Sequence, residues 1–179
     1  MPPTHVFADE TKEKGFVVTT GALSARDLAT ARRTMRGLIM PRQRRIHFTK
    51  ESDARRKEVL DAIDQLGPEI TIYDASTLPR RRQREACLSA IVADLADAGA
   101  QLLVLETDDS VLERDKRLLY QQVRELGCAD RLQYHHLRAH QEPLLMIPDA
   151  VSWCWHRGGH WRVRIEAMNP TVRRVTNPG

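Results

Sequence analysis

The chain has 179 residues, 41% hydrophobic and 29% charged, which is the balance of one globular domain rather than a disordered or fibrous chain. No apolar run reaches the roughly 20 residues that cross a bilayer, and Met1-Pro2-Pro3-Thr4-His5 is not the start of a secretory leader, so no membrane role is expected. Net charge is +4, and the three cysteines (Cys87, Cys128, Cys154) are widely spaced with no CxxC pair, which argues against a disulfide framework and for a cytoplasmic setting.

In chain order, residues 4–8 read as a short buried strand ending at Asp9-Glu10. Residues 11–15 form a turn, and the β-branched run 15–23 is its hairpin partner. Ser24 with Asp27 makes a capping-box-like pair for a helix whose inner face is Leu28, Ala31, Met35, Leu38 and Ile39, closed by Pro41. Residues 45–48 (Arg-Ile-His-Phe) predict a third strand. A helix follows over 52–66, with Val59, Leu60, Ile63 and Leu66 inward and Gly67-Pro68 as its stop.

Residues 69–73 predict a strand and 80–98 a helix turning Leu88, Ile91, Val92 and Leu95 inward. The run 101–105 is apolar throughout and reads as a central strand covered on both faces. A helix over 110–126, a polar strand over 131–137 and a helix over 144–156 complete the pattern, with a further strand expected over 161–165. A hairpin followed by alternating helices and strands predicts an α/β fold, a mixed sheet with helices on both faces. Residues 1–165 are expected to form one domain and 166–179 a basic, flexible tail.

Acids at the ends of apolar strands stand out, because ligands in open α/β sheets gather at the carboxyl ends of the strands. Asp9 and Glu10 end the first strand, and Glu106-Thr107-Asp108-Asp109 follows the central one. A half-buried, unpaired carboxylate is costly, and a divalent cation held by oxygen ligands would offset that cost. Asp108 and Asp109 equally suit a helix cap before Ser110, so which of Glu106, Asp108 and Asp109 is the middle acid stays open. Asp149, alone in the apolar run 144–153, is the third candidate, and Pro148 beside it fits a first helical turn.

Basic residues cluster as Arg42-Gln43-Arg44-Arg45, Arg55-Arg56-Lys57, Arg80-Arg81-Arg82-Gln83-Arg84 and Arg173-Arg174. Guanidinium forks of this kind suit the phosphates of a polyanion, though such runs are also ordinary solvated helix faces. His135, His136 and His140 match no zinc-ligand spacing, and core packing is the expected role of Trp155. No GxGxxG, P-loop, HExxH or GxSxG motif is present.

The segments Ala8-Asp9-Glu10-Thr11, Arg45-Ile46-His47-Phe48 and Leu145-Met146-Ile147-Pro148-Asp149-Ala150 together resemble the ribonuclease-H-like family catalogued as domain of unknown function thirty-eight hundred. Members open on a strand ending Asp-Glu-Ser, carry an Ile-His pair and end with a helix bearing Leu-Gln-Leu-Ala-Asp. Thr11, Pro148 and Glu106 stand here where Ser, Ala and Asp are usual.

The resemblance implies a ribonuclease-H-like fold over residues 4–157. It implies a carboxylate cluster of Asp9, Glu106 and Asp149 for Mg²⁺ or Mn²⁺, with Asp109 as a further candidate ligand. It also implies His47 as a contact to the scissile phosphate or a proton shuttle, although a satisfied structural histidine is the commoner role. The function expected is that of a metal-dependent nuclease, or a related phosphodiester-cleaving enzyme, holding DNA or RNA through its arginine patches. The alternative is a non-catalytic module of the same fold that binds nucleic acid or a protein partner. Homodimerisation is left open.

Overall fold

The structure, a computed structural model, describes residues 4–12 and 15–177. Glu13 and Lys14 of the expected first turn lie outside the described residues, as do residues 1–3 and 178–179. The strands are β1 (Thr4–Thr11), β2 (Val17–Ser24), β3 (Glu69–Asp74), β4 (Leu102–Glu106), β5 (Gln133–Leu137) and β6 (Thr171–Arg174). The helices are α1 (Leu28–Gly37), α2 (Asp53–Leu66), α3 (Arg80–Ala98), α4 (Leu112–Glu125), α5 (Met146–Arg157) and α6 (Gly159–Glu166).

The strands form one sheet in the order β5-β4-β1-β2-β3-β6. β2 runs against β1 and β3, while β4 pairs parallel with β1 and β5, and β6 parallel with β3. Five strands therefore point the same way, and their carboxyl ends share one edge of the sheet. Strand alternation divides the apolar side chains between two faces. Phe7 and Val104 pack with α1, α2, α5 and α6 on one face. Val6, Ala8, Leu103 and Leu105 pack with α3 and α4 on the other.

Two contacts set how α5 lies on the sheet. Gly21 of β2 lets it approach closely, since a Cβ there would stand 2.9 Å from Ile147 Cγ2. Ser152 Oγ donates to Thr19 Oγ1 at 2.8 Å in the buried interface, fixing the helix along β2. Ahead of α5, the Arg32 guanidinium forks onto the buried Glu142 carboxylate at 2.8–3.2 Å. Glu142 in turn accepts the Leu144 N–H, capping the 3-10 turn that leads into the helix.

Four expectations need correction. Residues 45–48 are not a strand but an irregular segment entering a 3-10 turn at Phe48–Lys50. Ile46 and Phe48 are buried and His47 exposed, so the alternation is real, but it comes from two anchors pinning a loop to the core. Ser24 makes no side-chain cap, because a 3-10 turn over Ala25–Asp27 precedes α1. Residues 161–165 are helical, with Trp161 and Ile165 one turn apart on the buried side of α6. The tail is not detached: residues 171–174 form β6, which lies parallel to β3 and carries the sheet to its edge. Among the described residues no helix is long and apolar enough to cross a membrane.

Candidate functional site

Two of the three principal acids are brought together by sheet register. Ala8 of β1 is opposite Leu105 of the parallel strand β4, so Asp9 and Glu106 stand next to each other where the two strands end. By alternation both side chains turn toward the face covered by α5. Asp149 lies in the first turn of α5, which packs on β1 and β2. The Ser152–Thr19 hydrogen bond sits one turn further along, and Thr19 is the hairpin partner of Asp9. Asp149 is thereby held above the ends of the strands.

The electrostatics follow from this convergence. The Asp9 carboxyl is raised well above its ordinary 3.8, first by the surrounding protein, then by the Asp149 charge and then by that of Glu106. Asp149 is pushed up to about 6, first by burial and then by Glu106, even though its carboxylate accepts the Phe48 N–H. Neither Asp9 nor Asp149 has an ion-pair partner among the described residues. Asp9 Oδ1 accepts the Glu10 N–H at 2.7 Å. Burial is the larger cause of both shifts, and neighbouring carboxylate charge adds to it.

One cation answers this cluster directly. Arg45, on the loop before Phe48, places Nη1 2.9 Å from Glu106 Oε1. The same guanidinium lies 3.1 Å from His47 Nδ1. The structure thus sets His47 beside Arg45, exposed, rather than among the acids. The surrounding protein, and then the charges of Arg45 and Lys50, lower its pKa.

Asp109 is not brought into the cluster, since both its oxygens bind the Arg138 guanidinium at 2.8–2.9 Å on the exposed surface. Asp108 is occupied as well. It accepts from Ser110 and Lys12, which hold it down at about 2. Of these three acids, Glu106 is the one that register places beside Asp9.

Three convergent carboxylates are the hard oxygen donors that Mg²⁺ or Mn²⁺ prefers, so the chemistry of the set fits such an ion. The placement falls short of it. Among the described residues no group of three or more His, Cys, Asp or Glu side chains is arranged to hold a metal ion. Glu106 is turned to Arg45, and a void of only about 20 Å³ opens beside Asp9, Glu10 and Glu106.

No protein-family profile matches the sequence, and no curated protein matches it. Among solved structures, the chain superposes on ribonuclease HII in its complex with PCNA from Archaeoglobus fulgidus. The TM-score is 0.58 at 16% identity, covering 99% of this chain and 84% of the other. The fold is ribonuclease-H-like. In this ribonuclease-H-like sheet the acidic trio sits at the shared carboxyl edge, the place where open α/β sheets put their ligands.

Sequence reasoning missed Arg45 as a member of this site, as well as the Thr19–Ser152 bond and the close approach at Gly21. Ser152 left a trace in the sequence, as a lone hydroxyl on an apolar helix one turn after Asp149, and Arg45 stood in the basic run 42–45, read there as a phosphate contact.

Proposed function

We infer that this chain is a divalent-cation-dependent nuclease, or a related phosphodiester-cleaving enzyme, whose site is Asp9, Glu106 and Asp149. One observation carries the reading. Asp9 on β1, beside Glu106 of β4, and Asp149 on α5 both hold their protons more tightly than usual, first through burial and then through neighbouring carboxylate charge, with no cation paired to Asp9 or Asp149 among the described residues. A cation bound there would replace the protons that the cluster otherwise retains. When bound, Mg²⁺ or Mn²⁺ supplies the activation of a water molecule and the stabilisation of a leaving oxygen.

The chain's own residues do the rest. Asp9 and Glu106 fix donor positions through the rigid β1–β4 ladder, and Asp149 is held above them by the Ser152–Thr19 bond. Asp149 passes from its protonated to its charged form near pH 6, so its readiness to act as a ligand rises through that range.

A polyanionic substrate is supported by the arginines along the same edge of the sheet. Arg82 in the first turn of α3, with Arg173 and Arg174 at the end of β6, lines a cavity of about 580 Å³. Arg80, Arg81 and Arg174 are exposed and, among the described residues, make no ion pair. Nucleic acid bound there would show steep salt dependence. Kinship with domain of unknown function thirty-eight hundred belongs to the same proposal, as does a cytoplasmic setting, which three free, buried cysteines suit.

A second reading, a non-catalytic module binding nucleic acid or protein, is favoured by the Arg45–Glu106 pair, which neutralises one of the three acids. Metal-dependent cleavage of mixed DNA and RNA substrates separates the two. Asp9→Asn and Asp149→Asn are each expected to abolish cleavage while circular dichroism stays unchanged. Cleavage that persists in both variants overturns the nuclease. A melting temperature indifferent to Mg²⁺ and Mn²⁺ favours the module.

A further inference from the structure

We propose that Arg45 is a built-in counter-ion for the acidic cleft, released from Glu106 when a phosphate-bearing polymer takes hold of its guanidinium, so that polyanion and divalent cation bind cooperatively. This rests on the metal-dependent reading above and adds to it how the site is regulated.

The contact is specific. Arg45 Nη1 and Glu106 Oε1 are 2.9 Å apart, and both side chains are largely shielded, at 27% and 21% exposure. A guanidinium on Glu106 occupies the acid that register places beside Asp9. It therefore holds, at Glu106, a carboxylate that a metal ion in the cleft would need. No metal-holding group of three such side chains exists among the described residues while this pairing is in place.

The means of release are local. The segment carrying Arg45 is irregular and is anchored by the buried Ile46 and Phe48, so its base is fixed while the side chain ahead of the anchors can reorient. Arg42 and Arg44 on the same segment are exposed and have no carboxylate partner among the described residues. A phosphodiester drawn to them meets Arg45 next, and a guanidinium donates to phosphate in the same bidentate manner as to carboxylate. Exchanging Glu106 for phosphate returns the Glu106 carboxylate to Asp9 and Asp149. Thermodynamic reciprocity then requires the cation to strengthen polyanion binding by the same factor.

The experiment is Mn²⁺ binding to the full chain, read by the electron paramagnetic resonance of free Mn²⁺. It is run with and without a cleavage-resistant phosphorothioate oligonucleotide, for the native protein, Arg45→Met, Asp9→Asn and Asp149→Asn, each checked for folding by circular dichroism. The oligonucleotide is expected to tighten Mn²⁺ binding about tenfold in the native protein. Arg45→Met is expected to show that gain without oligonucleotide and to gain nothing further from it. Mn²⁺ binding that Asp9→Asn abolishes but Arg45→Met leaves unchanged or weaker overturns the counter-ion role and leaves the metal site standing. Mn²⁺ binding that is absent, or indifferent to Asp9→Asn and Asp149→Asn, overturns the metal site and the counter-ion role with it.

Discussion

Asp9 and Glu10 are consecutive on β1 yet enter opposite electrostatic worlds. Glu10 faces α3 and α4, where Arg84 pairs with it and also forks onto the buried Asp115 at 2.5–2.8 Å. His136 stands 3.5 Å from Asp115, and Lys12 reaches Glu10 from the hairpin. Burial works against the Asp115 charge, but Arg84 and His136 outweigh it and hold its pKa below the ordinary value. Asp9 faces α5, meets two further acids and is shifted upward. The Glu10 and Asp115 carboxylates have their cations built in, whereas the three acids around Asp9 have a single arginine in contact. That asymmetry separates a compensated ion network from a cluster whose charge is largely uncompensated.

The comparison breaks most visibly if its compensated half is stripped. Arg84→Met leaves Glu10 and Asp115 without their main counter-charge and should cost about 3–5 kcal/mol in urea unfolding at pH 7. A loss under 1 kcal/mol would mean that the network is not what stabilises this face.

The acidic half should respond in the opposite sense. With a folded pKa of about 6 against an ordinary 3.8, Asp149 binds its proton more tightly in the folded protein. Its contribution is therefore present below pH 4 and is lost as pH rises through 6. Asp149→Asn should stabilise the metal-free protein by about 3 kcal/mol at pH 8 and by nothing at pH 4. Equal effects at the two pH values would remove the strain from Asp149.

Smaller changes sharpen the geometry. Gly21→Ala sets a Cβ 2.9 Å from Ile147 Cγ2, and should cost about 1–3 kcal/mol while moving α5, and Asp149 with it, off the strand ends. Cleavage falling further than the melting temperature suggests would mark the shift. Ser152→Ala removes the bond to Thr19 and should cost about 1 kcal/mol, with a modest loss of cleavage. An unchanged rate there would free the helix from any role in aiming Asp149.

Much of this fold could be read from the sequence because it is written in local patterns. The β-branched hairpin, the two-sided apolar strand at β4 and the Gly67 stop after α2 are features a chain carries without its partners. Asp9 and Asp149 stood out as candidates for a similar reason, as acids placed beside apolar runs, while Glu106 stayed one of three alternatives. What failed was tertiary. The alternation of Ile46, His47 and Phe48 is the same whether a strand or an anchored loop produces it, and only the neighbouring helices decide. Asp109 and Glu106 look alike in sequence, but Arg138 claims one and Arg45 the other, and a side chain's reach toward a distant carboxylate leaves no periodic mark.

The pairing of β1 with β4 has a consequence for how the chain folds. The β1–β2 hairpin is a neighbourly contact that can close early, while β4 must return from far along the chain to lie on the other side of β1. Asp9 and Glu106 do not meet until β4 has docked beside β1, so the cost of crowding the acids attaches to the long-range pairing and leaves the hairpin free of it.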